Sequence, residues 1–122
     1  MHRTFAIIGA LSAGLSVAAG AFGAHALRAR VEPRLLEVFE TAARYQMYHA
    51  LALLAVAWIA ERSPSPAAKV AGWAFVAGTL LFSGSLYAMT FTGVRALGAI
   101  TPLGGVAFIG GWIALAIAAA KR

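Results

Sequence analysis

Cysteine is absent from this sequence. That excludes disulfides and any zinc or iron–sulfur centre built on thiolates. Charge is scarce too. Asp, Glu, Lys and Arg make up 11% of the chain, less than half the usual share of a soluble domain, about 25%. There are four acidic residues, and none lies inside an apolar run. What is abundant is apolar: 61% of 122 residues. That excess needs a solvent other than water. The length suits one domain. The formal charge is +6, which on a soluble chain would point to nucleic acid. Here the basic residues flank apolar runs, so the lipid bilayer with its anionic headgroups is the expected partner, and nucleic acid is not.

A helix crosses a bilayer in about 20 residues. Residues 4–26 supply one span and residues 45–60 a second. The second is short, but nothing breaks its helix back to Arg34. Residues 67–90 and 102–120 supply the third and fourth. The expected fold is all-α: one polytopic membrane domain over residues 1–122, an antiparallel bundle of four transmembrane helices. Ser65-Pro66 and Thr101-Pro102 each read as an N-cap followed by proline at the first helical position, and Glu32-Pro33 opens the second helix in the same way. The prolines of "ERSPSP" (61–66) prevent one continuous helix there. Lys121 and Arg122 suit the dipole at the end of the last helix. Trp58 and Trp73 flank the second loop as interfacial anchors. The first apolar stretch, with Ala24-His25-Ala26 at its end, has the outline of a secretory signal. It exceeds the roughly 7–15 apolar residues of a signal, so a retained span is expected.

Lipid tails provide no hydrophobic drive between helices, so close packing needs small residues. Gly104, Ala107, Gly111, Ala114 and Ala118 form one seam. Gly9, Ala13, Ser16, Gly20 and Gly23 form another, and Ala71, Ala74, Gly78 and Ser85 a third. Gly20, Gly78, Gly104 and Gly111 are the expected points of closest approach. A lined pore is the sharper alternative.

With alternating spans, the end of the first, the start of the second, the end of the third and the start of the fourth share one side. His25, Arg44, Tyr45, Gln46, Tyr48, His49, Ser83, Ser85, Tyr87, Thr90 and Thr101 therefore gather in one leaflet half. Ionisable groups in a membrane are expensive, so they are treated as functional candidates. The candidate ligand-binding set is His25, Glu40, Arg44, Tyr45, Gln46, Tyr48, His49, Ser85 and Tyr87. Each has a plainer reading. The histidines can be satisfied by backbone or water. Glu40 and Arg44, spaced i,i+4, can form a helical ion pair, with Glu37 one turn earlier on the same stripe. The tyrosines can be interfacial anchors. Arg28, Arg30 and Arg34 are expected on lipid phosphates.

"GAFGAHAL" (20–27), "TAARYQMYHALALL" (41–54), "FSGSLY" (82–87) and "GAITPLGGVAFIGGW" (98–112) occur in this order along the chain. Together they resemble a family of small integral membrane proteins of unknown function, with YgdD-like and YwdK-like members in bacteria and a mitochondrion-associated member in eukaryotes. The resemblance implies a four-helix membrane protein and brings no catalytic assignment.

Three functions compete. A non-enzymatic packing, assembly or lipid-associated subunit needs only the seams and the interfacial charge. It leads, with no catalytic residue, no metal and no cofactor called for, in a bacterial inner membrane and open to homo-oligomers or a larger complex. A transporter or channel for a small solute or ion is the alternative, by likeness to small four-span exporters and fluoride channels. Glu40, at the edge of a span, is the nearest acid for proton exchange. A haem- or quinone-binding redox protein ranks third, with His25 and His49 at similar depth as axial ligands. Orientation is balanced. Arg3, Arg62, Lys69, Lys121 and Arg122 share the side of the termini, and Arg28, Arg30, Arg34, Arg44 and Arg95 share the other. Cytoplasmic termini are favoured, with a dual-topology homodimer as runner-up.

Overall fold

The computed structural model describes residues 2–121. Met1 and Arg122, the latter counted above among the basic residues of the C-terminus, lie outside them. The described chain is four helices with no strand: α1 (His2–His25), α2 (Pro33–Arg62), α3 (Pro66–Thr92) and α4 (Thr101–Ala120). Short 3₁₀ turns, Leu27–Ala29 and Arg95–Ala99, sit in the first and third connections.

The helix starts follow local chemistry. Pro33 and Pro66 lie in the first turns of their helices, where a missing N–H costs nothing. The Ser65 hydroxyl accepts from the Ala68 N–H at 3.3 Å, as an N-cap does. Two caps differ from expectation. Glu32 occupies the cap position of α2 without a side-chain bond. Thr101 is not the cap of α4, because Ile100 holds that place. The Thr101 hydroxyl is bonded instead to Ser85 Oγ at 2.6 Å. A partner on a neighbouring helix has taken the oxygen that a local cap would use. Gly93 ends α3 in the left-handed region, at φ 71°, which glycine adopts without steric cost.

Three stretches are long and apolar enough to cross a membrane by length and composition: α1, α3 and the run Arg95–Ala120. α2 is longer still but more polar. The difference is charge, carried by Arg34, Glu37, Glu40 and Arg44 in its first half and Glu61 and Arg62 at its end, while its middle packs on the other helices. Gln46 and His49, 8% and 4% exposed, point inward, while Arg34, Glu37, Arg44, Tyr48, Glu61 and Arg62 are exposed. The outer faces carry the opposite character. Leu80 and Val106 are 70% and 69% exposed, with Leu11, Leu15 and Ile109 similarly bare. Such a surface suits lipid. Inside, Phe5, Leu53, Val56, Phe75 and Phe108 form the main apolar core.

α1 and α2 run antiparallel in a tight register. A Cβ at Gly9 would fall 2.8 Å from the Ala50 carbonyl oxygen, and one at Gly23 would meet the Phe39 ring at 3.0 Å. Between them Ser16 reaches Ala43. Gly20 does not belong to this seam. It is exposed, with nothing within 4 Å of a Cβ placed there. The α-helical repeat of about 3.6 residues carries the seam from Ser16 to Gly23 and rotates Gly20 off it. Gly20→Ala should therefore leave stability unchanged or raise it by less than about 1 kcal/mol, whereas Gly23→Ala should lower it. Unfolding in mixed detergent micelles, followed by circular dichroism, checks this. An equal loss at both positions would return Gly20 to the seam.

α3 is not uniform. Residues Thr79–Ser83 form a π-helical turn, in which the Gly84 N–H reaches back five residues to the Thr79 carbonyl. The turn bulges towards α4, where Gly104 receives it. A Cβ at Gly104 would meet the Phe82 backbone nitrogen and lie 2.7 Å from its Cβ and 2.8 Å from its Cα. A Cβ at Gly111 would fall 2.7 Å from the Phe75 ring, and one at Gly78 would meet the Phe108 ring, two further close approaches in the α3–α4 contact.

Candidate functional site

The polar side chains of the interior do converge, and they bond to one another and to backbone carbonyls. Gln46 is the hub. Its Nε2 donates to the Ser12 carbonyl at 3.0 Å and lies 3.3 Å from Ser12 Oγ, while its Oε1 accepts from the Tyr87 hydroxyl at 2.6 Å. One amide thus joins α1, α2 and α3. Around it, Ser16 Oγ donates to the Ala43 carbonyl and Ser83 Oγ to the Ala42 carbonyl, both at 2.7 Å. Those two acceptors are neighbours in α2 approached from opposite flanks. Nearer the loop end, Thr90 Oγ1 donates to the Leu86 carbonyl at 2.9 Å. The Ser85–Thr101 pair links α3 to α4.

His49 closes the network towards α4. The Trp112 indole Nε1–H donates to His49 Nε2 at 3.1 Å. Indole nitrogen is a donor only, so Nε2 must accept. Nδ1 then carries the proton and donates to the Tyr45 carbonyl at 2.7 Å. The ring is a neutral imidazole with both nitrogens engaged. Its face lies on Phe108 at 3.5 Å between centroids and 5° between planes. Phe75 contacts it from a tilted angle at 5.5 Å.

The nine candidate residues divide sharply. His49, Gln46 and Ser85 are buried, and Tyr87 and Tyr45 are half-buried beside them. Tyr45 contributes its carbonyl to His49 and packs its ring on Phe82, 4.8 Å between centroids. Glu40 is half-buried nearer the helix start. His25, Arg44 and Tyr48 are exposed on the outside. No ion pair joins Glu40 to Arg44 among the described residues, where the one recorded pair is His2–Glu61 at 3.9 Å. Arg34 and Glu37 line an open cleft of about 340 Å³ with Val38, Thr41 and Leu86.

The pairing of His25 with His49 is corrected by the α1–α2 register. Gly9 sits against Ala50 and Gly23 against Phe39, so His25 lies beside the first turns of α2. His49 is more than a dozen residues further along, roughly 20 Å at 1.5 Å per residue. The expectation of similar depth set the end of the first span level with residue 45 and left the extension back to Arg34 beyond it, whereas that extension packs beside the end of α1. The N-terminal extension of α2 displaces its residues by that amount. The two rings cannot share one haem iron or one small ligand. No cluster of three or more His, Cys, Asp or Glu residues suited to a metal occurs among the described residues.

Sequence reasoning missed Trp112 and Ser12, and placed Ser16 only as a small seam residue. Ser12 and Ser16 are four residues apart on the α1 face that contains Gly9, which was a legible signal. Trp112 gave no such sign, since its indole enters through the crossing of α4 over α2. Gly72, beneath the Phe5 ring, was missed as well.

Comparison with known proteins fits this architecture. The family model described as "Protein of unknown function (DUF423)" matches residues 19–105. The chain is 49% identical over 120 residues to the UPF0382 membrane protein YwdK of Bacillus subtilis, covering 98% of each. It is 50% identical over 119 residues to a UPF0382 membrane protein of Staphylococcus aureus, covering 98% of this chain and 97% of the relative. A Staphylococcus haemolyticus UPF0382 membrane protein shares 44% over 119 residues, with the same coverage. No solved structure matches the chain. With identity near one half along almost the whole length, and a helical core whose outer faces are apolar, this protein belongs to the DUF423 family, whose relatives carry the name UPF0382 membrane protein.

Proposed function

We propose that this chain is a multi-pass protein of a bacterial inner membrane that acts without catalysis, as a packing or assembly subunit associated with lipid. The observation that carries the reading is the bonding of Gln46. A buried amide that could have greeted a ligand is used to hold α1 and α3 to α2. Every buried side-chain nitrogen and oxygen among the described residues has a partner within the chain. In hydrocarbon, interhelical polar bonds fix which faces meet, since apolar faces alone do not choose. The basic residues divide five against five between the two sides, so their count does not choose an orientation and a dual-topology homodimer stands beside cytoplasmic termini.

Two measurements test this reading. In a double-mutant cycle, Gln46→Leu and Tyr87→Phe should be coupled by about 1 kcal/mol, read from unfolding in micelles. A coupling near zero removes the structural role of the hub. In proteoliposomes the protein should give no saturable flux of small ions or polar solutes. A flux that His49→Ala abolishes while the chain stays folded would sink the packing reading in favour of transport.

A further inference from the structure

At the end of the bundle away from Gln46, the last turns of α2 and α4 flank a cleft of about 500 Å³, lined by Trp58, Ile59, Arg62, Ser63, Ala118 and Ala119. The volume lies in the range of small-molecule sites, roughly 300–1,000 Å³. Its walls differ in kind. Ile59, Ala118, Ala119 and the Trp58 ring are apolar. Arg62 and Ser63 sit where α2 ends and the loop begins. The Arg62 guanidinium carbon stands 4.6 Å from the Trp58 ring centroid. That cation–π contact holds a long side chain at the rim.

We propose that this cleft binds one anionic phospholipid, its phosphate on Arg62 and the upper part of an acyl chain against Trp58, Ile59 and Ala119. The proposal rests on the membrane reading above and not on the packing role of the polar network. Charge favours it. Arg3, Arg62, Lys69 and Lys121 lie at this end, where the one acid, Glu61, faces His2 at 3.9 Å. Trp58 is exposed near the end of α2, and an amphipathic ring there suits a headgroup region. The lipid, and not free phosphate, is the fitting occupant. Two helix C-termini point here, and their partial negative charge opposes a bare anion. A phosphate with an acyl chain adds apolar contact along the walls, which inorganic phosphate lacks.

The test uses the full chain in phosphatidylcholine nanodiscs doped with phosphatidylglycerol, with lipid retained after release counted by native mass spectrometry. The wild type should retain one phosphatidylglycerol in preference to phosphatidylcholine. Arg62→Gln should lower that retention about fivefold, the order expected for one basic residue at a lipid surface. Ala119→Leu, which fills the cleft without changing charge, should lower it comparably. Lys69→Gln, at the same end but outside the cleft, should leave it unchanged. Equal retention of both lipids overturns the proposal. So does a Lys69→Gln loss equal to that of Arg62→Gln, which would mean a diffuse surface field. Displacement by millimolar inorganic phosphate would reassign the site to the free anion. Arg62 lies outside the interhelical network, so Arg62→Gln should unfold as the wild type does, and it carries the test if Ala119→Leu fails to fold. Failure of the packing reading would show separately, as lost coupling between Gln46 and Tyr87.

Discussion

Gly104→Ala is expected to cost about 1–3 kcal/mol of folding stability, while Gly105→Ala costs nothing. The two positions are adjacent in sequence and share a helix, so intrinsic helix propensity cancels between them. The difference lies in what a methyl group would meet. At Gly105 nothing lies within 4 Å. At Gly104 it meets the Phe82 backbone nitrogen, with the Phe82 Cα at 2.8 Å. A side chain can rotate away from such an intrusion, but a main chain held in a π-helical turn cannot. α4 must therefore move off α3 as a body. That motion would stretch the Ser85–Thr101 bond and loosen the stack of His49 on Phe108. Equilibrium unfolding of both variants in mixed micelles checks the prediction. Loss at Gly105 equal to that at Gly104 would show that the contact with the π-turn does not fix the helix distance.

This position also shows what a sequence of this kind discloses. Small residues at steps of three and four mark Gly104, Gly111 and Gly78 as contact points, because in lipid apolar helix faces gain from meeting only where they fit closely. The pattern fails at Gly20, where the chain has small residues on several faces of α1 and composition alone does not choose among them. The number, order and approximate bounds of the helices follow from apolar run length and proline position. The π-turn at Thr79–Ser83 does not, since "TLLFS" contains no breaker that demands it. The polar hub was half legible. Gln46, Tyr87 and Ser85 stood out because hydrogen-bonding side chains are rare here. Ser12 did not, nor did the carbonyls of Ala43, Ala42 and Leu86 that Ser16, Ser83 and Thr90 reach, because any residue can supply a carbonyl. The depth of His49 depended on whether the extension of α2 back to Arg34 lies beside α1 or beyond its end. Only the observed register against α1 supplies that offset.

Replacing the buried histidine separates the two roles it could play. His49→Ala should lose about 2–4 kcal/mol, and His49→Phe only about 1 kcal/mol. Alanine removes the ring that lies on Phe108 at 3.5 Å and touches Phe75, leaving a cavity among aromatic groups that cannot collapse without moving α4. Phenylalanine keeps that stack and removes only two hydrogen bonds. One of these is cheap to lose. Tyr45 O is a carbonyl within a helix and keeps its helical donor. The other is the main loss: Trp112 is 46% exposed, but in the middle of α4 that exposure is to lipid, which offers the indole N–H no acceptor, and one interhelical bond of this kind is worth about 1 kcal/mol. The expected order is therefore wild type, then phenylalanine, then alanine, with the larger gap between the last two. Unfolding free energies in micelles read this directly. A histidine kept for proton or ligand chemistry gives another pattern: both variants lose that chemistry equally, whatever their stabilities. If His49→Phe proves as unstable as His49→Ala, the hydrogen bonds outweigh the stack. The ring's place would then be set by Trp112 and Tyr45, and not by Phe108.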